Sequence, residues 1–240
     1  MKIMRHAAAV AALAGAVAVP GAASAGFVWV ESGPGGAGDV PATAQATYDS
    51  SFNTLDGIQG MLTSMVPVNG NPLYQVDLYK IRISDWAAFS ATTDLAANGA
   101  LDSALFLFDS SGSGVYMNDD TSAGMLATLP AGDAAGPVAN GIYYLAVALG
   151  GTLALDGLSQ AMFNGGNFTD VLGGNGNGPL AAWAAGFPSF DESPWSYSIA
   201  LTGATNSDIP EPGGIALLLA GGIAAWLARR TVRRSEPVTA

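Results

Sequence analysis

The chain has 240 residues, half of them hydrophobic, no cysteine and a formal net charge of −11. Without cysteine there is no disulfide framework and no thiolate chemistry. The single histidine, His6, sits near the N-terminus, so a body freed of that end has no Ser-His-Asp or Cys-His nucleophile system and no imidazole zinc site.

Lys2 and Arg5 precede an apolar run over residues 7–19, and Ala23-Ser24-Ala25 follows with the small-x-small pattern that signal peptidase cleaves. Residues 1–25 therefore read as a secretory signal, with Ala23 and Ala25 as its cleavage residues. The run is too short for a permanent span. Between residues 26 and 209 only Lys80 and Arg82 oppose seventeen acidic side chains, a formal charge of −15. Such a surface repels phosphate backbones, so nucleic acid is an unsuitable partner, and it attracts divalent cations. About 184 residues are enough for one domain with a core that stands without covalent staples. Chemistry that needs only carboxylates, such as glycoside hydrolysis, survives this elimination, but no pair of acids is marked out by its spacing.

In chain order, Phe27-Val28-Trp29-Val30 is a short apolar run, and a glycine-rich loop follows it. Residues 42–62 predict a pair of short strands with turns. The clearest strand covers residues 74–83, with Tyr79, Ile81 and Ile83 on one face and Lys80 and Arg82 on the other. Phe89, Ala91 and Thr93 alternate with Ser90 and Thr92 in the next. Ala104-Leu105-Phe106-Leu107-Phe108, bounded by Asp102 and Asp109, is apolar on both faces and predicts a strand covered on each side. The turn Asp109-Ser110-Ser111-Gly112-Ser113-Gly114 leads to Val115-Tyr116-Met117 as a hairpin. Residues 125–129 predict another short strand, residues 141–149 a second fully buried one, and residues 195–202 a cleanly alternating last strand.

Short strands with turn signals every eight to twelve residues predict an all-β fold, an antiparallel β-sandwich over residues 26–204. No amphipathic crossover helix is apparent for a parallel α/β fold. Residues 150–194 interrupt the pattern with a stretch rich in Gly and Asn, including Gly173-Gly174-Asn175-Gly176-Asn177-Gly178. It lacks the aspartate of the calcium β-roll repeat and occurs once, which predicts a flexible loop. Its aromatics Phe163, Phe168, Trp183, Phe187 and Phe190 either pack the loop onto the sandwich or stand exposed to stack on sugar rings. Trp183 and Phe187 are the candidate ligand contacts on the second alternative.

Oxygen ligands for Ca2+ are the other candidate chemistry. Asp109 ends a buried strand, and Asn118, Asp119 and Asp120 follow the hairpin that begins there, so these four are expected to converge at one end of the sandwich. The alternative is that they are turn residues capping backbone N–H groups.

Ala37-Gly38-Asp39 with Pro41 and Thr43-Ala44-Gln45, then Val76-Asp77-Leu78-Tyr79, Leu105-Phe106-Leu107-Phe108-Asp109, Asn118-Asp119-Asp120 and Gly141-Ile142-Tyr143-Tyr144-Leu145-Ala146-Val147 occur in that order. Together they resemble the bacterial pre-peptidase C-terminal domain over roughly residues 39–150. The resemblance implies a jelly-roll-like sandwich of a secreted protein and no catalytic role. The insertion at 150–194 departs from that family's compact pattern.

The tail carries the second resemblance. Pro210-Glu211-Pro212 closes a spacer over residues 205–212, residues 213–228 contain no charge, and Arg229, Arg230, Arg233 and Arg234 follow within residues 229–240. As a helix the uncharged run rises about 24 Å, slightly short of a hydrocarbon core of about 30 Å. The arginines are expected to stay cytoplasmic and the body to lie outside the inner membrane. Spacer, apolar helix and basic stop in this order resemble the PEP-CTERM sorting signal of Gram-negative bacteria. The resemblance implies an exosortase-type membrane protease as partner, cleavage near Pro-Glu-Pro, and delivery to the cell surface or to extracellular polysaccharide. The expectation is a non-enzymatic surface, biofilm-matrix or adhesion protein. The alternative is a carbohydrate-binding module.

Overall fold

The computed structural model describes residues 26–32, 36–48, 53–62, 65–68, 71–73, 76–94, 102–185 and 194–207. The signal segment, the tail with Pro210, Glu211, Pro212 and its four arginines, and Phe187 and Phe190 lie outside the described residues. Among those described there are sixteen strands, numbered β1 to β16 in chain order, and no helix long and apolar enough to cross a membrane.

Alternation of apolar residues at every second position forces strands to share a buried face, and two sheets result. The first orders β1 (Phe27–Val30), β3 (Leu55–Leu62), β15 (Trp195–Thr202), β7 (Ser90–Asp94) and β10 (Thr128–Leu129) as β1-β3-β15-β7-β10. The second runs β13 (Leu172–Gly173), β9 (Gly114–Asn118), β8 (Ser103–Asp109), β11 (Gly141–Leu149), β6 (Val76–Ile83) and β16 (Ala204–Thr205). A further short strand, β2 (Gln45–Ala46), also pairs with β6. Two ribbons stand apart, β4 (Met65–Val68) with β5 (Asn71–Leu73), and β12 (Thr152–Asp156) with β14 (Leu180–Ala185).

The all-β expectation holds, but the purely antiparallel one does not. β1 lies parallel to β3 and β2 parallel to β6, so both sheets are mixed. Each of these strands is delivered by a long connection and not by a hairpin, and a connection of that length can return the chain in either direction.

The two sheets bury one core between them. β3 supplies Leu55, Ile58 and Leu62, β15 supplies Tyr197, Ile199 and Leu201, and they meet Tyr79, Ile81 and Ile83 of β6 and Leu105 and Leu107 of β8. Because β8 is apolar at every position from Ala104 to Phe108, its other face also needs cover. A second cluster supplies it, where Phe106, Phe108, Val76 and Leu78 are packed under Ala154, Met162, Phe163, Leu180 and the partly buried Trp183.

That cover is the glycine- and asparagine-rich stretch. Its described part, residues 150–185, is a third layer held by specific pairings, which corrects the flexible-loop expectation. Gly174 N–H donates to Val115 O and Leu180 N–H to Gly112 O. The Nδ2 groups of Asn175 and Asn177 both donate to Ala161 O. Glycine in sequence suggests looseness, whereas at Gly174 it allows two backbones to approach: a Cβ there would lie 2.0 Å from Gly114 O. Lys80 and Arg82 are half-buried on β6.

Candidate metal centre

The hairpin from β8 to β9 decides which acids meet. Leu105 pairs with Asn118 and Phe108 with Gly114, so Asp109 lies at the turn end and Asn118 at the open end. Four residues of strand separate the two, roughly 13 Å at the usual rise. The expected convergence of Asp109 with Asn118, Asp119 and Asp120 is therefore incorrect. Asp109 closes its own turn, accepting at Oδ1 from Ser111 N, Ser111 Oγ and Ser113 N at 2.8, 2.6 and 3.0 Å. Asn118 is buried and satisfied by the backbone, with Oδ1 accepting from Thr128 N at 2.9 Å and Nδ2 donating to Asp170 O at 3.2 Å.

The residue that joins Asp119 and Asp120 is Asp102, immediately before β8. The antiparallel register that sets Asn118 against Leu105 brings the residues after Asn118 beside those before Ser103. One carboxylate oxygen from each of Asp102, Asp119 and Asp120 lies within 4.8 Å of the other two. A signal for this was available in the sequence: Asp102 bounds the buried strand on the side away from the hairpin turn, where Asp119 must also fall.

Asp119 is only 7% exposed. Its Oδ2 accepts from Gly151 N at 3.0 Å, while its Oδ1 and the Oδ1 of Asp120 are buried without a hydrogen-bond partner. Burial, and then the charges of Asp102 and Asp120, raise the Asp119 carboxyl to about 6, although the Gly151 N–H pulls the other way. Asp102 is raised too, by burial first and then by Asp120. The backbone of the third layer frames the cluster. Gly150 N–H donates to Asp102 O, and a Cβ on Gly150 would lie 2.1 Å from Asp102 Oδ1, so a side chain there would displace that carboxylate from its present position.

Asp119 also lines a cleft of about 520 Å³ between the outer face of the second sheet and the third layer. Phe106, Met117, Phe163 and Leu172 form its apolar walls, with Phe168 beside them and half exposed. Trp183, one of the two candidate ligand contacts, turns inward: its ring meets Phe106 and Phe108 edge-on at 5.1 and 5.9 Å, and Nε1 donates to Asp39 O at 2.6 Å. Its contacts are those of a packing residue.

A second polar cluster lies inside the main core. Asp77 and Tyr79 of β6 face inward and meet Tyr197 of β15, where Tyr197 Oη donates to Asp77 Oδ2 at 2.7 Å and lies in hydrogen-bond contact with Tyr79 Oη. Ala37 N donates to Asp77 Oδ1 at 3.1 Å. Burial raises the Asp77 carboxyl to about 6 against the pull of these donors, and burial holds both phenols neutral. The sequence shows this only as an acid at an inward position of an alternating strand, two residues before a tyrosine.

No protein-family model, curated protein or solved structure matches this chain.

Proposed function

We propose that this is an exported, non-catalytic surface or matrix protein of a Gram-negative bacterium, a β-sandwich sorted through its C-terminal tail to the cell surface or extracellular polysaccharide. The observation that carries the reading is the order of parts in the tail: Pro210-Glu211-Pro212, then sixteen uncharged residues, then Arg229, Arg230, Arg233 and Arg234. Signal peptidase would act after Ala25, and an exosortase-type protease would act near Pro212 at the inner membrane.

The body is compatible with the jelly-roll-like pre-peptidase C-terminal family, since the chain alternates between sheets as it passes from β6 to β7 to β8 and from β9 to β10 to β11. The three acids that meet each offer an oxygen within 4.8 Å of the others, the spacing of ligands to one ion. Mass spectrometry of the protein recovered from the cell surface tests the sorting reading. A C-terminus near Pro210–Pro212 without the arginines supports it, and an intact tail refutes it. Glycan turnover abolished by a single Asp→Asn change would refute the non-catalytic part.

A second reading, carbohydrate binding, is favoured by the half-exposed Phe168 on the wall of the cleft. It moves the stacking surface from Trp183 to Phe168.

A further inference from the structure

We propose that Asp102, Asp119 and Asp120 form a Ca2+ site that fastens the third layer to the open end of the β8–β9 hairpin. The proposal rests on the geometry of the body alone and holds whatever becomes of the tail.

Ligand oxygens that share one Ca2+ at about 2.3–2.6 Å lie no more than about 4.6–5.2 Å apart. The three carboxylates meet that condition, each offering an oxygen within 4.8 Å of the others. Proximity of acids is common, and the second observation is the state of Asp119. It is nine-tenths buried, and Oδ1, deep in the protein, has no hydrogen-bond partner. A buried carboxylate oxygen without a donor carries its full desolvation penalty, and a bound cation removes it.

The surrounding chain supplies no other counter-charge. Between residues 26 and 209 the only basic side chains are Lys80 and Arg82. Both are on β6, separated from β8 by β11 and paired with Tyr144 and Ile142, at least five residues along the strand from Leu149, beside which the cluster lies. The donors are all oxygen, which suits a hard cation and excludes the soft-ligand metals. Ca2+ is preferred over Mg2+ because three carboxylates from two separate segments form an irregular donor set that a flexible coordination shell accepts, whereas Mg2+ keeps most of its waters, takes one or two carboxylates and demands near-octahedral geometry.

Two neighbouring backbone positions of the third layer serve the same acids. Gly151 N–H holds Oδ2 of Asp119 and leaves Oδ1 to the ion, and Gly150 leaves the space that the Asp102 carboxylate occupies. The first residues of the third layer are thus built around the same three acids.

The test is the thermal melting of the full chain, stripped with a chelator and titrated with Ca2+ or Mg2+ at pH 7.5. A saturable rise in Tm is expected, about 5–10 °C at a hundredfold excess over a Kd on the order of 10⁻⁴–10⁻³ M. Asp102→Asn, at an exposed position, should weaken Ca2+ at least tenfold without loss of the fold, and Asp119→Asn should abolish the rise. Asp109→Asn should leave it intact. A wild-type chain whose Tm ignores Ca2+, an equal response to Mg2+, or an Asp102→Asn variant that responds as the wild type does would each overturn the proposal.

Discussion

Tyr197 on β15 and Asp77 on β6 are 120 residues apart in the chain, yet the phenol donates to the carboxyl at 2.7 Å in the middle of the core. This bond ties the first sheet to the second. Tyr79 lies beside it on Tyr197, and Gly60 on β3 makes the space, since a Cβ there would meet Tyr197 Oη at 2.3 Å. Replacing Tyr197 by Phe leaves both Asp77 Oδ2 and Tyr79 Oη buried without this partner, a loss of about 1–3 kcal/mol. Tyr79→Phe leaves the Tyr197–Asp77 bond in place and should cost only about 0.5–1.5 kcal/mol. Urea unfolding of the two variants gives the ranking, and equal losses would show that the phenol–carboxyl bond is not the centre of the network.

The same carboxyl makes stability depend on pH. Burial raises Asp77 from 3.8 to about 6, while Tyr197 and Ala37 pull it down and Glu31 adds a small upward push. The folded state therefore holds the Asp77 proton more tightly than the unfolded state does. Its contribution is fully present below about pH 4 and is lost as pH rises through about 6, at up to roughly 1.4 kcal/mol per pH unit. Over that window the loss is on the order of 3 kcal/mol. The urea midpoint should fall between pH 4 and 7, and the fall should be shallower in Asp77→Asn. Parallel profiles for the two proteins would remove Asp77 as the cause.

Gly174 carries a different kind of constraint. Its Cβ would overlap Gly114 O, whereas at Gly178 the nearest atom to an added Cβ is 4.0 Å away. Gly174→Ala must force the third layer from β9 and should cost about 2–3 kcal/mol. Gly178→Ala should fall within about 0.5 kcal/mol of the wild type. Thermal melts separate the two, and a neutral Gly174→Ala would mean that this layer is not seated against the hairpin.

These residues show what could be read in the chain and what could not. The strands with strong alternation were legible: residues 195–202 coincide with β15, and the two-faced apolar run at 104–108 lies within β8. The run also announced that something covers its outer face. It did not say what, because the covering residues carry weak local signals. The stretch from 150 to 185 is written mainly in Gly, Asn and Ala, and its fixation comes from backbone bonds to β9 and from Phe163 and Trp183, contacts made far away in sequence. Parallel pairing was illegible for a similar reason, since side-chain period does not encode strand direction. At the acidic cluster, residue type is legible in the sequence and register is not. Asp109 and Asp120 look equivalent in sequence, but the hairpin sends them to opposite ends of the sheet.

Trp183 and Phe168 divide the roles that the sequence offered to one set of aromatics. Trp183 sits edge-on to Phe106 and Phe108 and anchors its indole N–H on Asp39 O, so Trp183→Ala should cost about 3 kcal/mol through the cavity it leaves. Loss of glycan binding in that variant would then report unfolding of the third layer, not a missing stacking surface. Phe168 is half exposed and lines the cleft, so Phe168→Ala should leave stability within about 1 kcal/mol of the wild type. If the cleft receives a sugar ring, that variant should weaken binding to the producing cell's own polysaccharide about tenfold, the equivalent of one lost aromatic face. Calorimetric titration of both variants beside their melting curves distinguishes the cases. Unchanged affinity in a fully folded Phe168→Ala would assign the cleft no part in polysaccharide binding.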